Sequence, residues 1–134
     1  VEHYRSLSAG DERSAALAET FWDWGIPTAA SLIEVSEVRG LEIVASGGIR
    51  NGIQVAKALA LGATLGGLAH RVLKPAVEGA TELVNELEAI IDELKVAMAL
   101  TGVRRVQELR AKPIIVSVMI ADWIRQRDVQ LLRR

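Results

Sequence analysis

The sequence predicts an α/β fold holding a parallel βαβ unit that belongs to a barrel or a larger sheet. Three observations carry this. Residues 41–45 and 64–68 are short apolar runs bounded by glycines, and both read as strands. Between them, residues 51–61 place Ile53, Val55, Ala56, Leu59 and Ala60 at helical spacing. A helix joined to two strands by tight turns requires the strands to be parallel, and two parallel strands alone leave edges and faces that further strands must cover.

The remaining elements follow in order. Residues 1–13, with Ser6, Ser8, Gly10 and Asp11, predict a loop. Residues 14–24 predict a helix whose face is Leu17, Phe21 and Trp24, interrupted by Gly25 and Pro27. Thr28 is the expected cap of a second helix over 29–38, with Leu32 and Val35 on one face and Gly40 at its end. Gly62 is the expected stop of the helix over 51–61. From 72 to about 100 one long helical pattern runs, with a break expected at Pro75 or Gly79. Its apolar stripe is Leu83, Leu87, Ile90, Ile91, Leu94 and Met98, and Glu82, Glu86, Glu88, Asp92 and Glu93 form its solvated face. Thr101-Gly102 stops it, and a short helix over 103–109 follows. Pro113 precedes Ile114-Ile115-Val116, and a last helical segment over 119–132 is basic at its end.

Composition narrows the classes of function. The chain has 134 residues, half of them hydrophobic and a quarter charged, which suits one globular domain with a core. A net charge of −1 argues against a general affinity for nucleic acid or acidic membrane, and Arg104-Arg105 with Arg133-Arg134 are too few for such a footprint. With no cysteine there is no disulfide, thiol nucleophile or thiolate metal site, which fits a cytoplasmic setting. No apolar run is long enough to cross a bilayer and no secretory signal is visible. His3 and His70 are isolated and make no metal motif. Trp22 and Trp24 flank Asp23 and read as core residues, although residues two apart cannot share a helix face, so one is expected at a partly exposed position or interface. Aromatic residues make up only 4% of the chain, so core partners are expected on a segment outside it. The opening Val1-Glu2-His3 without methionine fits a fragment or a processed product.

The chemistry concentrates at the two strand ends. Ser46-Gly47-Gly48-Ile49-Arg50 joins the first strand to a helix that opens with Asn51-Gly52. Free backbone N–H groups, a positive helix end and a guanidinium in one place are the parts of a phosphate cradle. Glycines keep side chains from holding a ligand away from the backbone. Gly66-Gly67-Leu68-Ala69 ends the second strand, and His70 and Arg71 follow it toward the same pocket. In a (β/α)8 barrel, phosphate sites commonly form from the loops after strands seven and eight. The plainer alternative is a pair of tight turns with no ligand. No P-loop, nucleophile elbow or dinucleotide fingerprint is present.

Residues 46–52 and 56–63 resemble the C-terminal barrel segment of the FMN-dependent oxidoreductase superfamily. Trp24-Gly25-Ile26-Pro27-Thr28 with Ser31-Leu32, then Gly67-Leu68-Ala69, Glu93-Leu94-Lys95-Val96-Ala97-Met98, Leu100-Thr101-Gly102 and Glu108-Leu109-Arg110, resemble the type 2 isopentenyl-diphosphate isomerases. The likeness covers about residues 1–113. It implies the C-terminal portion of a (β/α)8 barrel, forming one partial domain over 1–134, with the last βα units in 1–71 and C-terminal helices in 72–134. It implies an FMN phosphate site at Gly47, Gly48, Ile49 and Arg50 with Ala69 and His70, the last contributing backbone. His70-Arg71 departs from the small residue and proline that the family has there, and the tail after Pro113 departs as well.

What the whole family uses goes beyond these residues. It interconverts isopentenyl and dimethylallyl diphosphate on reduced FMN, with magnesium and with NADPH as reductant. Its substrate and metal residues lie on earlier strands, so the resemblance implies no catalytic or metal-binding residue here. It also implies a missing N-terminal barrel part or other subunits, and a homo-oligomer. The alternatives are a segment of an FMN-dependent α-hydroxy-acid oxidase or dehydrogenase, against which Asn51 and Ala69-His70 count, and a non-catalytic half-barrel.

Overall fold

The computed structural model describes residues 12–127. Most of the loop expected over 1–13, together with His3 and the basic pair Arg133-Arg134, lies outside the described residues; its last two residues, Glu12 and Arg13, are instead the start of a helix. Within them the order is α1 (Glu12–Thr20), α2 (Thr28–Ser36), β1 (Val44–Ala45), α3 (Gly52–Ala60), β2 (Leu65–Gly66), α4 (His70–Glu78), α5 (Ala80–Leu100), a 3-10 helix (Val106–Ala111) and α6 (Val118–Gln126).

The βαβ unit is present and its strands are parallel, with Val44 opposite Leu65 and Ala45 opposite Gly66. Ile43 O accepts from Thr64 N at 2.8 Å, and Ala45 O accepts from Gly67 N at 2.7 Å. Each strand is shorter than its apolar run, because a strand persists only where a neighbour pairs with it, and the described sheet has two strands. The fold is therefore α/β with consecutive parallel βα units.

The main core joins Leu32 of α2, Ala45, Ile49, Val55, Ala56, Ala58 and Leu59 of α3, Ala63, Val103 and Leu109. Leu94, Ala97 and Met98 of α5 pack on it from outside. Four of its ten buried members are alanines, two of them on α3, where Gly52 also lets the helix approach its neighbours closely. Gly62, at φ +114°, ends α3, and a Cβ there would meet Ser36 Cβ at 2.9 Å. Arg110 on the 3-10 helix donates to Gly62 O at 3.0 Å and Ala63 O at 3.1 Å, satisfying carbonyls at that helix end. A second cluster, Ala30, Ile33, Ile120 and Ile124, packs α2 against α6. Glu34 reinforces it by accepting from Trp123 Nε1 at 2.8 Å and Arg127 Nε at 3.1 Å. The Trp123 hydrogen bond, then that of Arg127, holds the Glu34 carboxyl below its ordinary pKa.

Several expectations are corrected. α1 ends at Thr20 and buries none of its residues, so the Leu17, Phe21, Trp24 face is uncovered. Trp22 and Trp24 are both exposed, at 64% and 81%, and neither is core. Phe21 and Trp24 pack edge to face at 5.9 Å on the surface. Of the two break positions expected in the long helical pattern, Gly79 is the one that breaks it, and Pro75 sits inside α4 without ending it. In the apolar stripe Ile90 is buried, whereas Leu87 and Ile91 are exposed. The helix expected over 103–109 is a 3-10 helix over Val106–Ala111. Residues 114–116 have no regular structure, and Ile115 is wholly exposed. The final helix is capped by Ser117, whose hydroxyl accepts from Ile120 N.

Candidate functional site

The first loop is built by two consecutive left-handed residues. Gly47 at φ +91° and Gly48 at φ +76° turn the chain through conformations that L side chains rarely adopt. Pro27, not Thr28, caps α2, and its backbone does so without a side-chain hydrogen bond. The Thr28 hydroxyl is used elsewhere: it donates to Gly47 O at 2.7 Å and fastens the turn to α2. A Cβ on Gly48 would meet nothing within 4 Å, so the space beside it is open. Ile49 is buried and anchors the turn from below, leaving only its backbone for a ligand. The amides of Gly48 and Ile49 have no acceptor among the described residues.

The entrance to α3 differs from the open helix end that the sequence predicts. Asn51 Oδ1 accepts from Gln54 N at 2.8 Å, and Gln54 Oε1 accepts from Arg50 N at 2.6 Å. This is close to the reciprocal capping box, with the glutamine reaching one residue further back. Glu93 Oε2 on α5 takes the Gly52 N–H at 2.7 Å. The Gly52, Gln54 and Val55 amides at the start of α3 are thus closed, while those of Gly48 and Ile49 in the glycine turn stay open among the described residues. The spacing Asn51-x-x-Gln54 carries a capping signal that could have identified Gln54 in the sequence. Nothing local points to Glu93, which lies 41 residues away.

The second loop lies against the first. A Cβ on Gly67 would meet Ser46 Cβ at 3.3 Å and Ala45 O at 3.5 Å, so the two strand ends touch. Ala69 precedes α4 and offers no side-chain cap. The amides of His70 and Arg71 have no acceptor among the described residues, and they point along a nine-residue helix whose N-terminal end is positive. The His70 side chain is exposed.

The structure therefore brings Gly47, Gly48, Ile49 and Arg50 together with Ala69 and His70 at one end of the sheet. Arg50 is exposed and in no ion pair among the described residues. Arg71 instead turns inward. Its Nη1 donates to both Glu93 oxygens at 2.9 Å and to Arg50 O at 3.2 Å, and its Nε pairs with Glu86. The Gly52 N–H first and Arg71 second hold the Glu93 carboxyl below its ordinary pKa, and the Glu93 and Glu86 carboxylates raise that of Arg71. Among the described residues no group of three His, Asp or Glu side chains is placed to hold a metal ion, and no helix is long and apolar enough to cross a membrane.

Residues 22–116 match the FMN-dependent dehydrogenase family. Relatives called isopentenyl-diphosphate delta-isomerase align over nearly the whole chain. That of Pyrococcus furiosus is 49% identical over 132 residues, 97% of this chain and 33% of the relative. That of Sulfurisphaera tokodaii is 46% identical over 98% of this chain and 36% of its own length. That of Methanosarcina barkeri is 45% identical over 95% and 34%. The chain spans about a third of the length of these curated relatives.

Proposed function

The chain belongs to the FMN-dependent dehydrogenase family, and from that premise we propose that it is the portion of an FMN-dependent isopentenyl-diphosphate isomerase that holds the flavin phosphate. One observation carries the assignment. Among the described residues, two touching βα loops present amides with no acceptor, an unfilled space beside Gly48, and in Arg50 an arginine with no ion pair. A phosphate group needs such donors and positive charge, and it fits where no side chain intrudes. The near-complete alignment with the isomerases favours that activity over an α-hydroxy-acid oxidase.

In this reading the Gly48 and Ile49 amides and the Arg50 guanidinium bind the phosphate from the first loop. The Ala69-His70 backbone binds it from the second. Thr28 keeps the glycine turn in register by holding Gly47 O. Bound there, reduced FMN supplies proton-transfer chemistry for moving a double bond without net oxidation. The chain's own residues anchor and orient, and none of them is assigned a catalytic or metal-binding role. Magnesium, NADPH, the diphosphate substrate and the remaining barrel strands belong to the proposal for the whole enzyme, a homo-oligomer in a cytoplasmic setting. The domain reading is one partial barrel, with the phosphate site in 1–71 and helices in 72–134.

The test is whether affinity depends on the phosphate. Titration monitored by flavin fluorescence should show FMN binding at least tenfold tighter than riboflavin, which lacks only that group. Equal affinities would remove the phosphate site.

A further inference from the structure

Three elements converge on Arg71, a residue that the resemblance would make a proline. Its guanidinium joins the Arg50 carbonyl on the first loop to Glu93 and Glu86 on α5. Glu93 in turn holds the Gly52 N–H. The connection leaves the first loop at Arg50 and returns at Gly52, the first residue of α3, and Arg71 itself stands in the first turn of α4, directly after the second loop. Both loops and α5 are thereby braced by one side chain.

The clasp also has an electrostatic consequence. Glu93 sets a negative charge on the first amide of α3. Gly52 is three Cα steps from Ile49, at most roughly 11 Å by chain geometry, which is about one Debye length at 0.1 M salt. A phosphate at Gly48 and Ile49 would be repelled by that carboxylate and by Glu86. Arg71 is the cation bonded to both.

We infer that Arg71 is a positioning residue for the phosphate site: it braces the two loops against each other and shields the bound anion from Glu93 and Glu86. The inference rests on the phosphate assignment above and concerns a residue that need not touch the ligand.

The experiment compares FMN and riboflavin affinities of the wild-type protein, Arg71→Gln and the double variant Arg71→Gln/Glu93→Gln, with hydrogen exchange of the Gly52 amide in flavin-free wild type. Arg71→Gln should weaken FMN binding about tenfold, as unshielding a charge at this range predicts, and leave riboflavin unchanged. Adding Glu93→Gln should restore most of the FMN affinity, because a neutral amide does not repel phosphate. The wild-type Gly52 amide should exchange slowly. Unchanged FMN affinity in Arg71→Gln, parallel loss of both flavins without recovery in the double variant, or fast Gly52 exchange in wild type would each overturn the role of Arg71. Wild type that binds FMN and riboflavin equally would instead overturn the phosphate reading, and the shielding role with it.

Discussion

Arg50 is the residue on which the proposed phosphate contact depends most. Its backbone is restrained on both sides, with its N–H given to Gln54 and its carbonyl to Arg71. The guanidinium projects from that restrained position into solvent without an ion-pair partner among the described residues. A cation held this way loses little backbone freedom on meeting an anion, and its fork takes two phosphate oxygens together. Arg50→Ala should weaken FMN binding by roughly 1.5–3 kcal/mol, the range for hydrogen bonds to charged groups. Flavin titration of the variant reads this directly, and unchanged affinity would show that the arginine faces elsewhere.

At the scale of elements, the crossing of α3 and α5 is the tightest packing contact near the site. A Cβ on Gly52 would lie 2.6 Å from Glu93 Cβ and would also collide with the backbone of Ile90 and Leu94. Two helix backbones meet there, so a methyl group cannot be accommodated by rotating a side chain. Gly52→Ala should lower stability by about 1–3 kcal/mol or more, as overpacking does, and it should also break the hydrogen bond to Glu93. The denaturant midpoint measures the first effect, and exchange of the residue-52 amide measures the second.

The same crossing confers a pH dependence. The folded-state pKa of Glu93 lies below its ordinary value of 4.5, through the Gly52 N–H and Arg71, with Glu86 the other acidic group on the same guanidinium. Its contribution to stability is therefore complete above the ordinary value and is lost as pH falls through the folded-state pKa. Glu34, held low by Trp123 and Arg127 at the α2–α6 contact, acts in the same direction. Unfolding midpoints measured from neutral pH downward should stay level until the carboxylate range and then fall. In Glu93→Gln the fall should be shallower, and an identical profile would show that this carboxylate is not linked to folding.

For the whole molecule, the uncovered apolar surface is the dominant feature. Val44 and Leu65, opposite each other in the sheet, are both more than half exposed. Leu17, Phe21 and Ile26 are exposed as well. Parallel sheets are normally covered on both faces, and the chain aligns with about a third of its relatives' length. The catalytic and metal-binding groups of the proposed enzyme would stand on other strands. The isolated chain supplied with FMN, a reductant and magnesium should therefore not convert isopentenyl diphosphate to dimethylallyl diphosphate. Turnover by this polypeptide alone would refute that division of labour.

What the sequence determined by itself is local. Gly47 and Gly48 make the turn between β1 and α3, Gly62 and Gly102 end helices, and the two short apolar runs pair in parallel. The turns and helix ends follow from backbone sterics or hydrogen bonding within a few residues, and the parallel pairing follows from the helix and two tight turns that join the strands. Helix ends near Trp24 and Leu109 were less legible, because α1 has no described layer to bury its apolar face and residues 106–111 wind into a tighter helix. Tertiary structure alone decided which groups of the site stay open. Glu93 comes from 41 residues away to close the end of α3, Thr28 gives its hydroxyl to the glycine turn rather than to its own helix, and Arg71 is drawn inward while Arg50 remains exposed. Competition among side chains for one amide or carboxylate depends on distances between elements, and those are set only when the helices pack.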